Sequence, residues 1–404
     1  MILRRTVLAL CLALLAGCES SKDGPAAGVA NSDWHRKDLE AHVSRWIRIS
    51  PTPSGMMLAK FDRSWKPADV QGADLTTHSR VVYTMAAAYE ATREPRYLEA
   101  ARKGADFLLE KFRDAEFGGF MMRVDAAGKP LSTIKNTYGH AFALLALSHV
   151  ARVTGEAKYK EAALAAWRDI RTNLREPSGG LRPEAPRDFK ASGGNRTQNP
   201  VMHMFEALLA LLDATKDPGV LADARELGDF VVYQLLVGLP SGGAYIPEWY
   251  DTNWRALPDG DGYIDLGHQF EWSHLLRSAG QRGVSPLYAE VADRILKYAV
   301  ATGYDEQDGG IFNRAYANGR VDRSKFWWQQ AEGMRAFLAV SQRPDMARRY
   351  RETLELVDKE LLDHENGGWR FGAAKTCAGG GCGNMQPDPY HLVGMHWAAL
   401  QTKQ

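Results

Sequence analysis

One unit recurs along the chain at intervals of roughly 60 residues, and this repeat restricts the fold more than any other feature. Each unit contains a pair of glycines followed by an apolar or aromatic residue. The pairs are Gly118-Gly119, Gly179-Gly180, Gly242-Gly243, Gly309-Gly310 and Gly367-Gly368. Self-similarity at a fixed period indicates a repeat architecture, in which each unit buries its apolar surface against the next one.

Apolar residues at helical spacing fill the segments between the glycine pairs, and turn residues interrupt each segment once. The interrupted segments are 80–112, 140–174, 203–235, 266–303 and 331–362. Each interruption makes a pair of helices, and a further helix over 34–49 supplies the odd partner. A straight solenoid needs polar caps, whereas the last segment, 389–400, is apolar and aromatic. We therefore predict an all-α fold in which six helical hairpins close into an (α/α)6 barrel, with short β excursions at the Gly-Gly loops.

The first 17 residues have the features of an export signal. Arg4 and Arg5 precede an apolar run over 7–16 that is too short to span a bilayer. The sequence Leu-Leu-Ala-Gly before Cys18 is similar to a bacterial lipobox, which predicts cleavage before Cys18 and attachment of lipid to it. We therefore predict a lipoprotein signal peptide over 1–17. The alternative is an ordinary secretory signal with an incidental cysteine.

The segment that follows Cys18 is rich in Gly, Ala, Ser and Asn, a composition that cannot bury a core. It predicts a flexible tether over 18–31, and several acyl chains on Cys18 would hold the protein stably at a membrane. Glu19, and not Asp, follows the cysteine, which does not favour retention at the inner membrane. We expect an exported lipoprotein on the periplasmic side, anchored in the outer membrane, with one domain over 32–404.

The charge and the cysteine content limit the kinds of function and site that the chain can have. The net charge is +1 and Lys and Arg form no run, so the electrostatic footprint of a nucleic-acid-binding protein is absent. Cys377 and Cys382 flank a short glycine-rich segment, and an oxidising compartment favours a disulfide between them. The alternative is half of a metal site, which would need two further ligands nearby.

The inner helices of such a ring would begin at one rim, so residues in their first turns would meet at one cavity. Histidines occur in several of these turns, at His203, His268 and His391. The other residues expected to bind substrate there are Arg80, His140, Asn199, Trp327, Trp328, Glu332 and Tyr390, with Trp249 and Trp254 added by loops. Aromatic faces combined with hydrogen-bonding groups suit sugar rings, so we predict a carbohydrate site.

Two of these histidines stand three residues before a glutamate. His268 precedes Glu271 and His203 precedes Glu206, so the members of each pair share a helix face. A carboxylate beside an imidazole fixes its tautomer and raises its basicity. The spacing therefore predicts that Glu271 pairs with His268.

Four segments in the same order carry a family resemblance. They are 199–207 (NPVMHMFEA), 267–272 (GHQFEW), 325–332 (KFWWQQAE) and 389–391 (PYH). In these the chain resembles the N-acylglucosamine 2-epimerase superfamily, which includes N-acylglucosamine 2-epimerases, cellobiose 2-epimerases and mannose-type aldose–ketose isomerases. The resemblance covers essentially the whole chain after the tether. It implies an (α/α)6 barrel and acid–base chemistry at C2 of a reducing sugar, without a metal or another cofactor.

The resemblance also implies individual roles. His268 and His391 match the acid/base pair, and Glu271 matches the carboxylate that orients this pair. His203 matches a histidine that assists ring opening or binds hydroxyls. Arg80 matches an arginine that binds the sugar oxygens.

Further residues follow the same pattern, with two departures. Trp327 or Trp328 would form a stacking wall for the sugar. Some relatives carry a second histidine where this chain has Val201, and the Cys-Gly segment before His391 is an unfamiliar insertion. These departures bear on the substrate more than on the chemistry.

The residues themselves support the same mechanism. Abstracting a proton next to a carbonyl needs a base whose pKa lies near the operating pH, and histidine meets that need. The open-chain sugar forms a cis-enediolate, whose negative charge needs donors such as Arg80. Return of the proton to the opposite face of C2 gives an epimer, and transfer to C1 gives a ketose. Both products remain open at this stage.

Other functions remain as alternatives. A glycan lyase or hydrolase also uses helical toroids, and a glycosidase would need two suitably spaced carboxylates, for which Glu248, Asp251 and Asp265 are candidates. We expect Glu248 and Asp251 to bind hydroxyls or to cap turns. A non-catalytic glycan-binding lipoprotein and a zinc site built from the three histidines are further alternatives. An exported enzyme would meet oligosaccharides, so we predict a cleft that is open at one end.

Overall fold

The computed structural model describes residues 32–190, 193–258, 262–378, 380 and 382–402. The predicted signal peptide, the tether and Cys18 lie outside the described residues. The α-helices of the described part are α1 (Ser32–Ile49), α2 (Leu75–Thr92), α3 (Pro95–Phe107), α4 (Thr137–Thr154), α5 (Ala157–Asn173), α6 (Asn199–Thr215), α7 (Pro218–Phe230), α8 (Leu266–Gln281), α9 (Tyr288–Gly303), α10 (Trp327–Leu338), α11 (Pro344–Leu356) and α12 (Tyr390–Gln401).

The even-numbered helices form a closed inner ring. Each of them contacts the next even-numbered helix, and α12 contacts α2, which closes the ring. The odd-numbered helices lie outside, where α3, α5, α7, α9 and α11 each pack on the inner helix that precedes them and α1 packs on α12. The fold is an (α/α)6 barrel, and the prediction is confirmed. Since every inner helix runs in the same direction, all their N-termini lie at one rim.

Local sequence signals set the helix boundaries. Outer helices α3, α7 and α11 begin at Pro95, Pro218 and Pro344, where the missing N–H of proline has no cost. Helix α4 ends at Gly155, whose φ of 70° makes a left-handed cap. Helix α6 ends in the same way at Lys216. These are the turn residues that interrupt the predicted helical segments, so the predicted hairpins are confirmed.

The inner and outer helices differ in how much of their surface is buried. Helix α6 is buried on all sides from Pro200 to Leu212, as expected for a helix enclosed within a ring. Outer helix α5 buries a single stripe that includes Tyr159, Ala163, Trp167 and Ile170. One apolar stripe per outer helix therefore covers a largely apolar inner ring.

Three outer helices continue into a π-helical turn that the sequence pattern does not predict. These turns are Leu108–Phe112, Val231–Leu235 and Val357–Leu361. Each follows α3, α7 or α11 directly and leads into the segment that holds the next glycine pair. A π turn closes i→i+5 hydrogen bonds and so holds one more residue than an α-helical turn.

Short antiparallel strands lie in the loops at the rim. They are β1 (Ala73–Asp74), β2 (Arg123–Val124), β3 (Pro130–Ser132), β4 (Lys135–Asn136), β5 (Glu184–Ala185), β6 (Arg196–Thr197), β7 (Val237–Gly238), β8 (Ala244–Tyr245), β9 (Trp249–Tyr250), β10 (Ile264–Asp265), β11 (Arg314–Ala315) and β12 (Val321–Asp322). The sheets have the orders β1-β2-β3, β10-β11-β12, β4-β5, β6-β9 and β7-β8. Strands β1, β4, β6 and β10 stand just before inner helices and pair with the next excursion along the chain, which ties neighbouring units together at the rim.

The glycine pairs make the turns that begin the excursions. In three of them an aspartate stands four residues before the first glycine, and its backbone bonds to both glycines, as at Asp114, Asp305 and Asp363. The first glycines of these turns have φ between 69° and 77°, a region that favours glycine. At Gly119 a Cβ atom would come within 2.7 Å of the His140 ring, so close approach also requires glycine there.

Side chains from the inner helices hold these excursions in place. The fourth residues of α2, α4, α8 and α10 each accept a hydrogen bond from a loop N–H at 2.7–3.1 Å; they are His78, His140, Gln269 and Gln330. His140 is fully buried, and its second ring nitrogen donates to the Asn136 carbonyl at 2.7 Å. The prediction that His140 binds substrate is therefore wrong, because this side chain positions the Gly118-Gly119 turn.

The segment before α12 contains a disulfide between Cys377 and Cys382. The two sulfurs lie beside Gly372, where a Cβ atom would come within 3.1 Å of both. The predicted pairing is confirmed. Among the residues that the structure describes, no helix is long and apolar enough to cross a membrane.

Candidate active site

A cavity of about 420 Å³ opens at the rim where the inner helices begin. Seven residues that the sequence predicts for the site line it: Arg80, Asn199, His203, His268, Trp327, Trp328 and His391. They come from five different inner helices, and each lies in the first two turns. The closed ring therefore brings together side chains that are far apart in the sequence. We call this space the central cavity.

His268 lies in the first turn of α8 and is oriented by a buried glutamate. Its Nδ1 donates to Oε2 of Glu248 at 2.8 Å. Gln198 and Thr197 donate to the two oxygens of Glu248 at 2.7 and 2.9 Å and fix the carboxylate in place. Trp272 in turn donates to the Gln198 amide oxygen at 2.6 Å. This chain of bonds directs Nε2 of His268 away from its partner.

The charge around His268 makes it an acid. Burial lowers the pKa of His268, but Glu248 and Asp265 outweigh burial and raise this pKa to about 10. Asp265 caps α8 by accepting from the His268 N–H at 3.2 Å. Burial, together with Glu248, raises the pKa of Asp265 to about 6. His268 is therefore an imidazolium ion at neutral pH, with one N–H available to a ligand.

His391 begins α12 and has a second buried glutamate behind it. Its Nδ1 donates to Oε1 of Glu332 at 2.7 Å, while His274 donates to Oε2 at 2.8 Å. Arg335 contacts the same carboxylate at 3.0 Å. Burial raises the pKa of Glu332, but Arg335 and the two histidines outweigh it, and the pKa lies well below its usual range. Because Glu332 accepts from Nδ1, Nε2 is the ring nitrogen of His391 that is left available to act as a base.

His203 lies in the second turn of α6, with Glu206 one turn further along. Nδ1 of His203 donates to Oε2 of Glu206 at 3.3 Å, and the Tyr390 hydroxyl donates to the same oxygen. Burial lowers the pKa of His203 to about 4 in spite of Glu206. His203 is thus a neutral imidazole, and the predicted pairing with Glu206 is confirmed.

Glu271 does not pair with His268, so that prediction is wrong. Its carboxylate lies below the central cavity, with Oε1 3.8 Å from Nδ1 of His203. Neither oxygen of Glu271 has a hydrogen-bond partner within the described part of the chain. Burial and the nearby Glu332 and Glu206 raise the pKa of Glu271 well above its usual value. Glu271 therefore favours the neutral carboxylic acid far more strongly than an exposed glutamate does.

We expect Glu271→Gln to stabilise the protein. The unfolded chain ionises Glu271 above a pKa of about 4.3 and the folded protein does so only at higher pH, so the wild-type free energy of unfolding falls as pH rises between the two pKa values. The amide removes this loss and should raise the free energy of unfolding, by more at pH 7 than at pH 5. Urea unfolding of the wild type and Glu271→Gln at both pH values measures this difference in the free energy of unfolding.

Glu332→Gln provides the matched comparison for that variant. Glu332 is ionised and holds Arg335, His274 and His391. Glu332→Gln should therefore lower the free energy of unfolding, whereas Glu271→Gln should raise it. A destabilised Glu271→Gln protein, or a gain that does not grow with pH, would show that Glu271 is ionised in the folded state.

Arg80 is held in a fixed position beside the histidines. Nη1 donates to Asp388 at 2.7 Å and Nη2 donates to the Tyr138 hydroxyl at 2.5 Å. The guanidinium lies over the rings of Phe142 at 4.2 Å and Tyr390 at 5.0 Å. Asp388 and Tyr138 line the central cavity together with Arg80, and the sequence reasoning identified neither of them. Their roles depend on tertiary contacts with no local motif.

Aromatic rings cover one side of the central cavity. The ring of Trp328 lies 5.0 Å from that of His268 and 5.5 Å from that of His391, so it contacts both members of the pair. Trp327 packs edge-on against His391. Gly267 permits this arrangement, because a Cβ atom there would come within 2.5 Å of the Trp328 ring. The predicted aromatic wall thus lies beside the histidine pair.

Four residues predicted to bind substrate lie elsewhere. Tyr390 and Glu332 are buried beneath the cavity, where they position histidines. Trp254 is buried, donates to Glu176 at 2.9 Å and stacks on an outer helix, while Trp249 lies in β9 outside the cavity lining. The prediction of direct contact with a ligand is therefore wrong for Tyr390, Glu332 and Trp254, because packing takes up their side chains, and for the half-buried Trp249 it stays a prediction.

Among the residues that the structure describes, two sets of buried side chains have ligand atoms close enough together to hold a metal ion. One contains His203, Glu206 and Glu271, and the other contains Glu271, Glu332 and His391, with ligand atoms within 4.8 Å of one another in each set. Neither set joins two of the predicted histidines, as the zinc alternative would require. Arg335 already places a positive charge 3.0 Å from Glu332 and 3.8 Å from Glu206.

The family follows from a comparison with known proteins. Residues 57–393 match the family model described as N-acylglucosamine 2-epimerase (GlcNAc 2-epimerase). The chain belongs to the N-acylglucosamine 2-epimerase family. Members with assigned names include sugar epimerases and isomerases. The resemblance seen in the four sequence segments is thereby confirmed.

Individual relatives in this family match over most of their length. A D-mannose isomerase of Marinomonas mediterranea is 27% identical over 392 residues, which cover 90% of this chain and 96% of that protein. An N-acylglucosamine 2-epimerase of Bos taurus is 29% identical, covering 70% of this chain and 68% of that protein. The fold agrees as well, because a crystal structure of D-mannose isomerase superposes with a TM-score of 0.83 at 24% identity, covering 92% of this chain and 98% of that one.

Proposed function

We propose that the protein interconverts reducing sugars at C2, as a 2-epimerase or an aldose–ketose isomerase. One observation carries this proposal. Two histidines, His268 and His391, meet at one aromatic ring in the central cavity, and each is oriented through Nδ1 by a buried glutamate. An acid and a base held together in this way suit proton transfer next to a carbonyl.

The base of the proposed reaction is His391. With the sugar open and its C1 carbonyl in the cavity, Nε2 of His391 takes the proton from C2. The C–H bond electrons move into the C1–C2 bond, and the carbonyl oxygen becomes the oxyanion of a cis-enediolate. Glu332 stabilises the imidazolium that forms on His391, since it already accepts the Nδ1 proton at 2.7 Å.

The acid of the proposed reaction is His268. Its Nε2–H can give a proton to C2 from the opposite face, which yields the epimer, while Glu248 stabilises the charged form beforehand. Alternatively, the proton of the C2 hydroxyl passes to O1 and His391 returns its proton to C1 of the same enediolate, so that the C2 oxygen becomes the carbonyl of the ketose. The position at which the proton is returned therefore decides between the two products.

Two further groups act on oxygen atoms. Arg80 is fixed by Asp388 and Tyr138 at the cavity wall, where its positive charge stabilises the oxyanion. His203 is neutral and has one ring nitrogen on the cavity side, so it assists ring opening by exchanging a proton with the ring oxygen or O1.

Proton exchange in deuterated water tests this proposal. The protein is incubated with a panel of reducing mono- and disaccharides, and NMR follows the C2 proton of each sugar. We expect enzyme-dependent loss of the C2 signal for at least one sugar, with a product spectrum that identifies an epimer or a ketose. No exchange across the panel would contradict the proposal and favour a glycan hydrolase, a lyase or a non-catalytic glycan-binding protein.

The cavity carboxylates offer less support for hydrolysis. Glu248 is bound by His268, Gln198 and Thr197, and Asp388 is bound by Arg80. Asp251 makes a turn by accepting from the N–H groups of residues 253 and 255, as the sequence suggested. Hydrolysis would need one of these carboxylates to attack or to activate water without such partners.

We expect the activity to be independent of metal ions. Arg335 lies 3.8 Å from Glu206 and 3.0 Å from Glu332, one carboxylate of each potential ligand set, and a divalent cation would have to compete with it. Dialysis against EDTA should leave kcat within about 2-fold. A larger loss that a divalent cation restores in the wild type, but not in Glu271→Gln, would place a functional metal at Glu271.

We further propose that the protein is exported and anchored by lipid on Cys18 at the outer membrane, on its periplasmic side. The support is the charged and apolar N-terminal segment followed by Leu-Leu-Ala-Gly-Cys. The Cys377–Cys382 disulfide is consistent with an oxidising compartment. Metabolic labelling with a fatty acid tests it, since Cys18→Ala should lose the label and enter the soluble fraction.

A further inference from the structure

A second cavity of about 90 Å³ lies deeper in the ring than the central cavity, toward the C-terminal ends of the inner helices. Its lining includes Tyr83, His274 and Arg335, each of which is the ninth residue of its inner helix. Nine residues of an α-helix span about 13 Å, whereas the histidines of the central cavity lie in the first two turns. We call this space the lower cavity. Its side chains are set back from the rim at which a ligand enters.

One buried carboxylate connects the lower cavity to His391. Nε2 of His274 donates to Oε2 of Glu332 at 2.8 Å, and Nδ1 of His391 donates to Oε1 at 2.7 Å. Glu332 is fully buried between these two imidazoles, of which one lines the lower cavity and the other the central cavity. The base of the proposed reaction is therefore held, through Glu332, by a side chain outside the central cavity.

His274 fixes the direction of the Glu332 carboxylate, which Arg335 alone does not. Nη1 of Arg335 lies almost equally far from the two oxygens, at 3.1 and 3.0 Å, so its attraction does not distinguish them. His274 and His391 each bond to a single and different oxygen. These two bonds set the rotation of the carboxylate, and the carboxylate in turn sets the ring of His391.

His274 orients Glu332 without adding a positive charge. Burial, together with Arg335, lowers the pKa of His274 in spite of its bond to Glu332, so this ring is neutral at pH 7. A neutral donor leaves the negative charge of Glu332 to stabilise the imidazolium that forms when His391 takes a proton. A second cation in place of His274 would orient the carboxylate equally well but would weaken that stabilisation.

We propose that His274 is a positioning residue of the acid–base site, which holds Glu332 in the orientation in which this carboxylate directs Nε2 of His391 at C2. The inference rests on the proposed function and deepens it, because it adds a residue that acts on the base from behind without touching the sugar.

Substitutions at His274 test its hydrogen bond to Glu332. His274→Phe keeps a flat ring but removes the donor. We expect kcat for C2 exchange to fall about 30-fold while KM stays within about 2-fold, because the groups that bind the sugar are unchanged. His274→Gln places an amide N–H the same number of bonds from Cα as Nε2, so it should restore kcat to within about 3-fold of the wild type. A wild-type kcat in His274→Phe, or equal losses in both variants, would overturn the inference. If His274→Phe does not fold, His274→Asn, whose amide is one bond shorter, replaces it.

Two comparisons separate positioning from a general loss of structure. His149→Phe alters another histidine of the lower cavity, which accepts from Arg152 at 3.0 Å, and it should leave kcat within about 2-fold. In a Glu332→Gln background the carboxylate that His274 orients is gone, so His274→Phe should lower kcat by no more than about 2-fold further. A full additional loss in that background would show that His274 acts independently of Glu332, contrary to the inference.

An NMR measurement on the substrate-free protein separates this inference from the proposed reaction. The Nδ1 proton of His391 gives an imidazole signal that is protected while Glu332 accepts it, and its loss in His391→Ala assigns it. We expect the signal in the wild type and in His274→Gln, and its loss in His274→Phe. That pattern without C2 exchange on any sugar would refute the reaction and keep the positioning of His391 by His274. C2 exchange with an unchanged signal and an unchanged kcat in His274→Phe would overturn the inference and keep the reaction.

Discussion

His391→Ala is expected to abolish the enzyme's exchange of the C2 proton. The variant removes the base itself, and a positioned general base contributes on the order of 10²–10⁴ in rate. The chain offers no replacement, because Nε2 of His268 is protonated at neutral pH and His203 has its pKa lowered to about 4. We therefore expect kcat to fall by about 10³ or more with a small change in KM. The deuterium-exchange assay measures this directly.

His140→Gln is the matched control for that variant. His140 lies in the same turn of its inner helix as the catalytic candidates, but it holds the loop N–H of Phe120 at 2.9 Å. The chain itself uses glutamine for the same bond at Gln269 and Gln330. His140→Gln should therefore keep kcat within about 2-fold. If both variants lost activity alike, the effect would be structural; if His391→Ala retained exchange, another group would be the base.

The architecture could be read from the sequence because it depends on periodic local signals. Gly-Gly pairs at regular intervals, one interruption per helical segment and an apolar final helix together predict a closed ring, and each interruption lies where the structure has a turn. The positions of His203, His268 and His391 at the rim followed from the same pattern. Because the inner helices all begin at this rim, residues in their first two turns lie around the mouth of the cavity.

The partners of the histidines could not be read in this way. Helical spacing assigned Glu271 to His268, but the third residue of α8 faces the cavity while the sixth lies one turn deeper, among other carboxylates. The true partner, Glu248, comes from a loop 20 residues earlier. Glu332 reaches His391 from the neighbouring helix, although the two residues are 59 positions apart in the sequence. Contacts between elements have no local spacing rule.

The error at His140 had a signal that could have prevented it. When the inner helices are aligned at their first residues, His140 takes the fourth position, together with His78, Gln269 and Gln330. His391, His268 and His203 take the second, third and fifth positions. A helix turns by 100° per residue, so the fourth position can point toward the outer loop while its neighbours face the cavity. Recurrence of amide side chains at that position indicates that these side chains hydrogen-bond to the backbone of a loop.

Glu248→Gln is expected to change the pH dependence of the activity more than any other single substitution. In the wild type, Glu248 and Asp265 keep His268 protonated up to a pKa of about 10, so the acid is available through alkaline pH. The amide keeps the shape and one acceptor oxygen but removes the negative charge. Burial then dominates, and the pKa of His268 should fall by about 2 units or more. The basic limb of the kcat profile should move down by the same amount.

Stability gives an independent test of the same charge pair. Because the folded-state pKa of His268 is raised above its unfolded value near 6.5, the pair contributes stability that is fully present below pH 6.5 and is lost as pH rises to about 10. The difference in Tm between the wild type and Glu248→Gln should therefore be largest near pH 6 and smallest near pH 10. Asp251→Asn, which alters an exposed turn carboxylate outside the cavity, should shift neither the kcat profile nor this difference. If the basic limb of the kcat profile stayed at the same pH in Glu248→Gln as in the wild type, His268 would not be the acid. The proton returned to C2 would then have to come from His391 alone.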